Sequence, residues 1–460
     1  MGTVYWEKEV VETNQSKTSI YFMENLKLFV ENHKDIKFYN VFAKRSSGNL
    51  LYLEATNKDK TIIYRQIEGI NSKKDLVEWR EILSTGKKRK LTYYQMKYNL
   101  PKLAFNWLKY KFSYVKETEV WNKDKGIFET KNKRKTYLTP PYKELCSDNQ
   151  DLYKGFSSSY FNGYSFNCTS EDKIYTDVYN FDYKNNHSSI MYYEKFPKSF
   201  SEINPSKFSS ICNKSHFYGE FKLIVKNEDP YLYKMNGAYN GITKTLYGYF
   251  NDVDFKFISL LCGIEKVKCE KLWIVEVEEL SSTLRKTIET VYKWTQLQKK
   301  GTKERQLLKW CNEKLYGEAA KKRFYPTSYQ WNEEEQKLEE IVNEFKWEEV
   351  SSNLRCHYDY SIAVWTCSYA RFRLLKLRRK LEEIGCEVLY GDIDSIKFRG
   401  EQGLAYINEI NKEIPDDFTL GKLELEDFAT KLRVLSFKWY CYQAGEKLVV
   451  KAAGANIEIV

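Results

Sequence analysis

The tightest constraint on this chain is the segment Cys386-Glu-Val-Leu-Tyr-Gly-Asp-Ile-Asp-Ser-Ile-Lys-Phe398. Apolar residues flank Gly-Asp-x-Asp on both sides, which predicts a β-hairpin carrying Asp392 and Asp394 at its tip. Two carboxylates so close at a tight turn can reach one divalent cation together, because hard cations take oxygen ligands. An isolated Asp-x-Asp is usually a solvated turn. Here the apolar flanks would bury the hairpin up to its tip and hold the acids still.

A second acidic segment is Val178-Tyr-Asn-Phe-Asp-Tyr-Lys-Asn-Asn-His-Ser-Ser-Ile-Met191. It reads as a strand ending at Asp182, a polar turn, and a helix from near Ser188. Alone, Asp182 reads as a strand-end cap. Beside the hairpin tip it could share the same cation, and metals held between carboxylates of different strands are the recurrent arrangement for in-line phosphoryl transfer. A third segment predicts a helical hairpin over 284–299 and 303–322, with Gly301 as the stop and Thr302 as the N-cap. On its second helix Arg305, Lys309 and Tyr316 fall near one face, with Lys299 at the turn. Such a row can grip a triphosphate, and it can equally be an ordinary basic surface.

Elsewhere the pattern is coarser. Residues 36–42 and 49–54 read as strands and 75–83 as a helix. Residues 116–135 look like a basic connector, and 153–191 look strand-rich. An acidic helix is expected over 333–345 and another helix over 361–384. In the latter, Ile362, Trp365, Tyr369, Phe372 and Leu375 recur at helical spacing, and the Arg and Lys opposite them read as solvated or DNA-facing.

Composition narrows the function classes. A net charge of +11 with 16% aromatic residues suits a phosphate backbone and stacked bases, and it also suits a lysine-rich solvated surface. Ten scattered cysteines without Cys-x-x-Cys, and only four histidines, suggest neither a zinc site nor disulfides. A reducing cytoplasm, bacterial or phage-infected, is therefore expected. No signal peptide is apparent, and no apolar run approaches the roughly 18 residues of a membrane helix, so no membrane partner is expected.

These segments, in this order, resemble family B DNA polymerases. Asp182-x-x-x-x-His-Ser-Ser resembles motif A, Lys309-x-x-x-Glu-Lys-x-Tyr-Gly317 motif B, and Tyr390-Gly-Asp-Ile-Asp-Ser395 motif C. Lys438-Trp-Tyr440 resembles the Lys-x-Tyr primer-strand motif, and Tyr153-Lys-Gly-Phe156 resembles the Tyr-x-Gly-Gly loop. Lys293-Trp-Thr295 and Lys451-Ala-Ala-Gly454 are most similar to the protein-primed branch of small phages and linear plasmids.

The resemblance implies an α+β right-hand fold with an antiparallel palm sheet, a helical-hairpin fingers element and an N-terminal α/β exonuclease-like remnant. The implied divisions are 1–150 (degenerate exonuclease), 151–280 (palm with an inserted priming-protein region), 281–325 (fingers) and 326–460 (palm, thumb absent or vestigial). It implies templated synthesis from dNTPs with two Mg²⁺ ions, for which Mn²⁺ can substitute. Asp182, Asp394 and the Tyr183 backbone would hold metal, with Asp392 beside them. Lys299, Arg305, Lys309, Tyr316 and His187 would meet the nucleotide. Lys438, Tyr440, Tyr153 and Gly155 would meet primer or template, as primer-template or single-stranded DNA.

Departures qualify that expectation. His187 stands where motif A has tyrosine, so sugar discrimination is expected to weaken. Glu313 and Lys314 replace the Asn-Ser of motif B. Glu7 and Glu9, then Asn40 with Lys44, then Gln95 with Asn99 are the nearest equivalents of the exonuclease acids, so proofreading is not expected. Low processivity is expected unless a priming protein or accessory subunit replaces the thumb. Untemplated or specialised nucleotide addition, and a non-catalytic nucleic-acid-binding relic, are the competing readings.

Overall fold

A computed structural model describes residues 7–12, 17–22, 40–46, 49–56, 62–67, 70, 72–84, 100–111, 113–122, 127–136, 149–161, 163–235, 237–320, 327–332, 337–342, 348, 360–415 and 417–452. Before residue 65, and in the strands of 113–136 and 327–342, only the main chain is described. The chain divides into two compact units, 1–138 with 289–314, and 139–288 with 315–460.

In chain order the elements begin with β1 (Glu7–Glu12), β2 (Lys17–Phe22), β3 (Asn40–Ser46), β4 (Asn49–Thr56), β5 (Ile62–Ile67), α1 (Lys73–Leu83), α2 (Leu100–Lys111), β6 (Ser113–Asn122) and β7 (Ile127–Thr136). Next come α3 (Gln150–Ser159), β8 (Ser165–Asn167), β9 (Val178–Tyr183), α4 (Asn186–Tyr193), β10 (Lys195–Ile203), α5 (Phe208–Ile211), β11 (Phe217–Val225), β12 (Tyr239–Asn240), β13 (Thr245–Asn251), α6 (Asp252–Cys262) and β14 (Ile264–Glu279). The helical hairpin is α7 (Ser282–Leu297) and α8 (Lys303–Ala319), followed by β15 (Thr327–Asn332) and β16 (Lys337–Val342). The rest is α9 (Tyr360–Glu383), β17 (Glu387–Asp392), β18 (Ser395–Arg399), α10 (Glu401–Asn411), β19 (Leu423–Ala429), β20 (Lys431–Ser436), β21 (Trp439–Ala444) and β22 (Lys447–Ala452).

The smaller unit holds a sheet of order β1-β2-β5-β4-β3 and the β6–β7 hairpin. The expected connector at 116–135 is therefore a regular antiparallel pair, running from Ser113↔Thr136 to Asn122↔Ile127. Its sequence carries no clean period-two alternation, while main-chain pairing still forms the ladder. In the helical hairpin Gly301 has a φ of 88° and the Thr302 hydroxyl accepts from Arg305 N at 3.3 Å, as the sequence anticipates. Trp79 of α1 packs at a tilt on Trp310 of α8 with centroids 5.3 Å apart, and Lys303 pairs with Asp75 and Glu78.

The larger unit is built from two five-stranded sheets, β10-β14-β11-β13-β12 and β19-β9-β18-β17-β8, with a three-stranded sheet β20-β21-β22. Helix α9 runs through its core, with Ile362, Trp365 and Leu375 buried and Tyr369 and Phe372 partly so. Much of the aromatic content is core rather than surface; Phe156 packs edge to face on Phe200 at 5.4 Å and on Trp365 at 6.3 Å, and tilted on Tyr218 at 5.0 Å.

Three expectations are corrected here. Within the acidic helix expected over 333–345, Lys337–Val342 is instead β16, paired with β15 from Thr327↔Val342 to Asn332↔Lys337, because strand pairing overrides the good helix propensity of its glutamates; the rest of that range lies outside the described residues. Residues 153–191 are not mainly strand, since α3 and α4 occupy both ends. Three of the basic residues of α9 are committed inside the fold rather than to a solvated face, while Lys376 is exposed. Arg371 is fully buried against Asp254 at 2.6 Å and donates to the Phe161 carbonyl at 3.0 Å. Arg373 donates to Ser189 Oγ and the Gly421 carbonyl, and Arg378 to Tyr164 Oη. Charge alone does not reveal that folded loops need these donors.

Candidate active site

The sheet β19-β9-β18-β17-β8 has one apolar and one polar face. Phe166, Gly391, Ile396, Phe181 and Leu425 lie opposite one another across its strands, and Phe166, Ile396 and Phe181 join the main core. The adjacent row, on the other face, is Ser165, Asp392, Ser395, Asp182 and Glu424. Directly opposed residues point to the same side. The pleat thus sets Asp392 and Asp182 in one row with only Ser395 between them.

Asp394 joins them at the turn. The Tyr183 N–H donates to the Asp394 carbonyl at 2.9 Å, so the β9 end and the hairpin tip are bonded through the main chain. Asp182, Asp392 and Asp394 are all partly exposed. Ile393, between the two hairpin acids, takes a φ of 60°, a conformation that a β-branched residue rarely adopts. Its N–H donates to the Tyr164 carbonyl at 2.8 Å, and its side chain packs on Gly163, where an added Cβ would lie 2.7 Å from Ile393 Cγ1. Ile393 and Gly163 position the acids, and neither carries a charge that would have marked it in the sequence.

One residue row further along, the polar face is covered by the three-stranded sheet. Tyr390 and Lys397 are paired there, and Tyr440 packs over both, 5.3 Å from the Tyr390 ring and 4.7 Å from Lys397 Nζ. Lys438, at a φ of 63° in the β20–β21 turn, donates its N–H to Tyr390 Oη at 3.1 Å. Its Nζ lies 3.6 Å from Asp392 Oδ2. Burial pushes the Asp392 carboxyl above the usual range, and Lys438 pulls it back. The carboxylate row ends at the edge of this cover.

No protein-family model matches the sequence, and no curated protein matches it. Solved structures do. Phi29 DNA polymerase complexed with primer-template DNA and incoming nucleotide substrates matches with a TM-score of 0.61 at 13% identity, over 95% of this chain and 84% of that one. Its complex with single-stranded DNA gives 0.58 at 13%, with 95% and 84% covered. Its post-translocation binary complex with primer-template DNA gives 0.57 at 12%, with 98% and 92% covered. This chain has the phi29 DNA polymerase fold. The resemblance to protein-primed family B polymerases therefore extends from the motifs to three dimensions, as a likeness of fold.

Within that phi29-like fold the remaining sequence candidates divide. His187, on α4, stacks on Tyr316, whose hydroxyl bonds to Tyr160 Oη and lies 2.9 Å from Cys367 Sγ. Burial alone pushes the His187 imidazole down to about 4, so it is neutral at physiological pH. Arg305 donates to the carbonyls of Thr295 at 2.7 Å and Gln298 at 2.9 Å, closing the end of α7. Lys299 and Lys309 are exposed. Tyr153 and Gly155 lie in α3, whose start Asn149 caps by accepting from Leu152 N at 3.0 Å, rather than in a loop; the glycine allows close approach to the sheet, since a Cβ there would lie 2.7 Å from Tyr249 Cδ1. Glu7 and Glu9 on β1, and Asn40 and Lys44 on β3, are at opposite edges of their sheet; their side chains, with Gln95 and Asn99, lie outside the described residues. Among the described residues no helix is long and apolar enough to cross a membrane.

The row suits hard divalent cations by its oxygen donors. Among the described residues no three His, Cys, Asp or Glu side chains gather into a complete ligand set.

Proposed function

We propose that this protein is a template-directed DNA polymerase that transfers nucleotides from dNTPs to a primer end. The reading rests above all on the Tyr183 N–H to Asp394 carbonyl bond, which ties the β9 acid to the hairpin acid. Asp182 and Asp394, with the Tyr183 carbonyl, are the groups that would hold a divalent pair. Bound there, such ions would activate the attacking hydroxyl and neutralise the leaving pyrophosphate. Asp392 shares its charge with Lys438 and orients the turn that carries it. Tyr440, seated on Tyr390 and Lys397, and Lys438 would steady the primer end. Lys309, exposed on α8, would meet the triphosphate with Lys299, whereas Arg305 is committed to closing α7. A protein hydroxyl is the proposed natural primer. The absence of proofreading is proposed from the sequence, where Lys44 and Asn99 stand in place of two metal-binding carboxylates.

The test is primer extension with Mg²⁺ or Mn²⁺, with and without template, beside Asp394→Ala. Template-dependent products lost in the variant are expected. Equal extension without template would establish the terminal-transfer reading instead.

A further inference from the structure

Lys397 is a lysine that the proposed chemistry does not use, and it is 2% exposed. It sits on the polar face directly opposite Asn180, one row from Asp182, Ser395 and Asp392. Its Nζ donates to Asn180 Oδ1 at 2.8 Å, and Asn180 Nδ2 donates to Glu426 Oε2 at 3.4 Å. The same Nζ faces the Tyr440 ring at 4.7 Å and the Tyr390 ring at 5.5 Å. An apolar side chain would fill this space without the cost of burying an ammonium. Burial pushes the group down to about 8, while Glu426, Asp182 and Asp392 pull it upward, so it is largely charged at neutral pH.

Resting on the proposed metal site, we infer that Lys397 is a positioning residue, a resident cation that holds the acid row and the Tyr440 ring in place and thereby weakens the hold of the row on divalent metal. A fixed positive charge beside the row offsets the repulsion between Asp182 and Asp392 of the row and the neighbouring Glu426 when metal is absent. When a divalent ion arrives, the same charge repels it. The acids keep one arrangement in both states, and the metal remains exchangeable.

The sign of this effect separates it from a structural role. Removing a merely structural side chain loosens the site and weakens metal binding; removing a resident cation strengthens it. The experiment is direct Mn²⁺ titration of the full chain by electron paramagnetic resonance, without DNA or nucleotide. Wild type, Lys397→Met, Lys397→Arg and Asp394→Asn are compared. Lys397→Met is expected to bind Mn²⁺ about tenfold more tightly than wild type, with Lys397→Arg near wild type. In primer extension Lys397→Met should also raise the KM for primer, since Tyr440 loses its cation. Lys397→Gln carries the same test if the methionine variant does not fold. Unchanged or weaker Mn²⁺ binding in the charge-removed variant overturns the inference alone. Wild-type Mn²⁺ binding that survives Asp394→Asn overturns the metal-site reading beneath it.

Discussion

The imidazole of His187 stacks on the phenol ring of Tyr316, with centroids 4.4 Å apart and planes 26° apart. Two positions that the sequence marked separately, one in each of two motifs, form a single contact. The imidazole stays neutral there, so the pair is an aromatic surface rather than a cation.

That contact makes a selectivity prediction. His187→Tyr should lower rNTP incorporation relative to dNTP incorporation by about tenfold, since a larger ring narrows the space for a 2′-hydroxyl. Single-nucleotide kcat/KM values for both substrates measure it. An unchanged ratio would place the sugar elsewhere.

The same ring makes stability depend on acid. Its folded pKa is about 4, against 6.5 for the free group, so the unfolded chain binds more protons between those values. The contribution of His187 to stability is therefore fully present above pH 6.5 and is lost as pH falls toward 4. His187→Phe should flatten that window by roughly 2 kcal/mol in denaturant titrations at pH 7 and pH 5.

Asp182→Asn and Asp394→Asn should each reduce nucleotide incorporation by at least about 10³-fold while thermal midpoints stay within a few degrees. Asp392→Asn should cost less, because in the proposed arrangement its carboxylate pairs with Lys438 Nζ, 3.6 Å away, and sits beside the metal ligands. Equal losses for all three acids would assign Asp392 a direct ligand role.

Gly163→Ala should force its new methyl group onto Ile393 and displace the hairpin tip. A stability loss of about 1–3 kcal/mol is expected, with a larger fall in kcat than in primer affinity. Ile393→Gly in the same chain should restore much of the lost kcat. A strictly additive double-mutant cycle would show that the two do not meet.

Breaking the buried Arg371–Asp254 pair by Arg371→Met should destabilise by about 3–5 kcal/mol, because it strands a charge. The double replacement Arg371→Met with Asp254→Leu should cost less than either single change. Chemical denaturation of all three variants decides it.

The hairpin at Asp392–Asp394 was legible because strand, turn and strand are encoded within about a dozen consecutive residues. The α7–α8 pair was legible for the same reason, through Gly301 and Thr302. What was hidden is non-local. The β15–β16 and β6–β7 pairs rest on partners rather than on propensity. The roles of Arg371, Arg373 and Arg378 depend on carbonyls and hydroxyls far away in the chain. Asp182 could be placed beside Asp394 only through the motif resemblance, since nothing in either local string specifies the register that pairs Asp182 with Ser395.

Helix α9 is both the spine of the core and, through those three arginines, the anchor of the segments around the acids. Catalytic alignment and global cohesion therefore share one support. On heating, this chain should not pass through a folded but inactive stage: the temperature at which turnover fails should coincide with the melting of the whole larger unit.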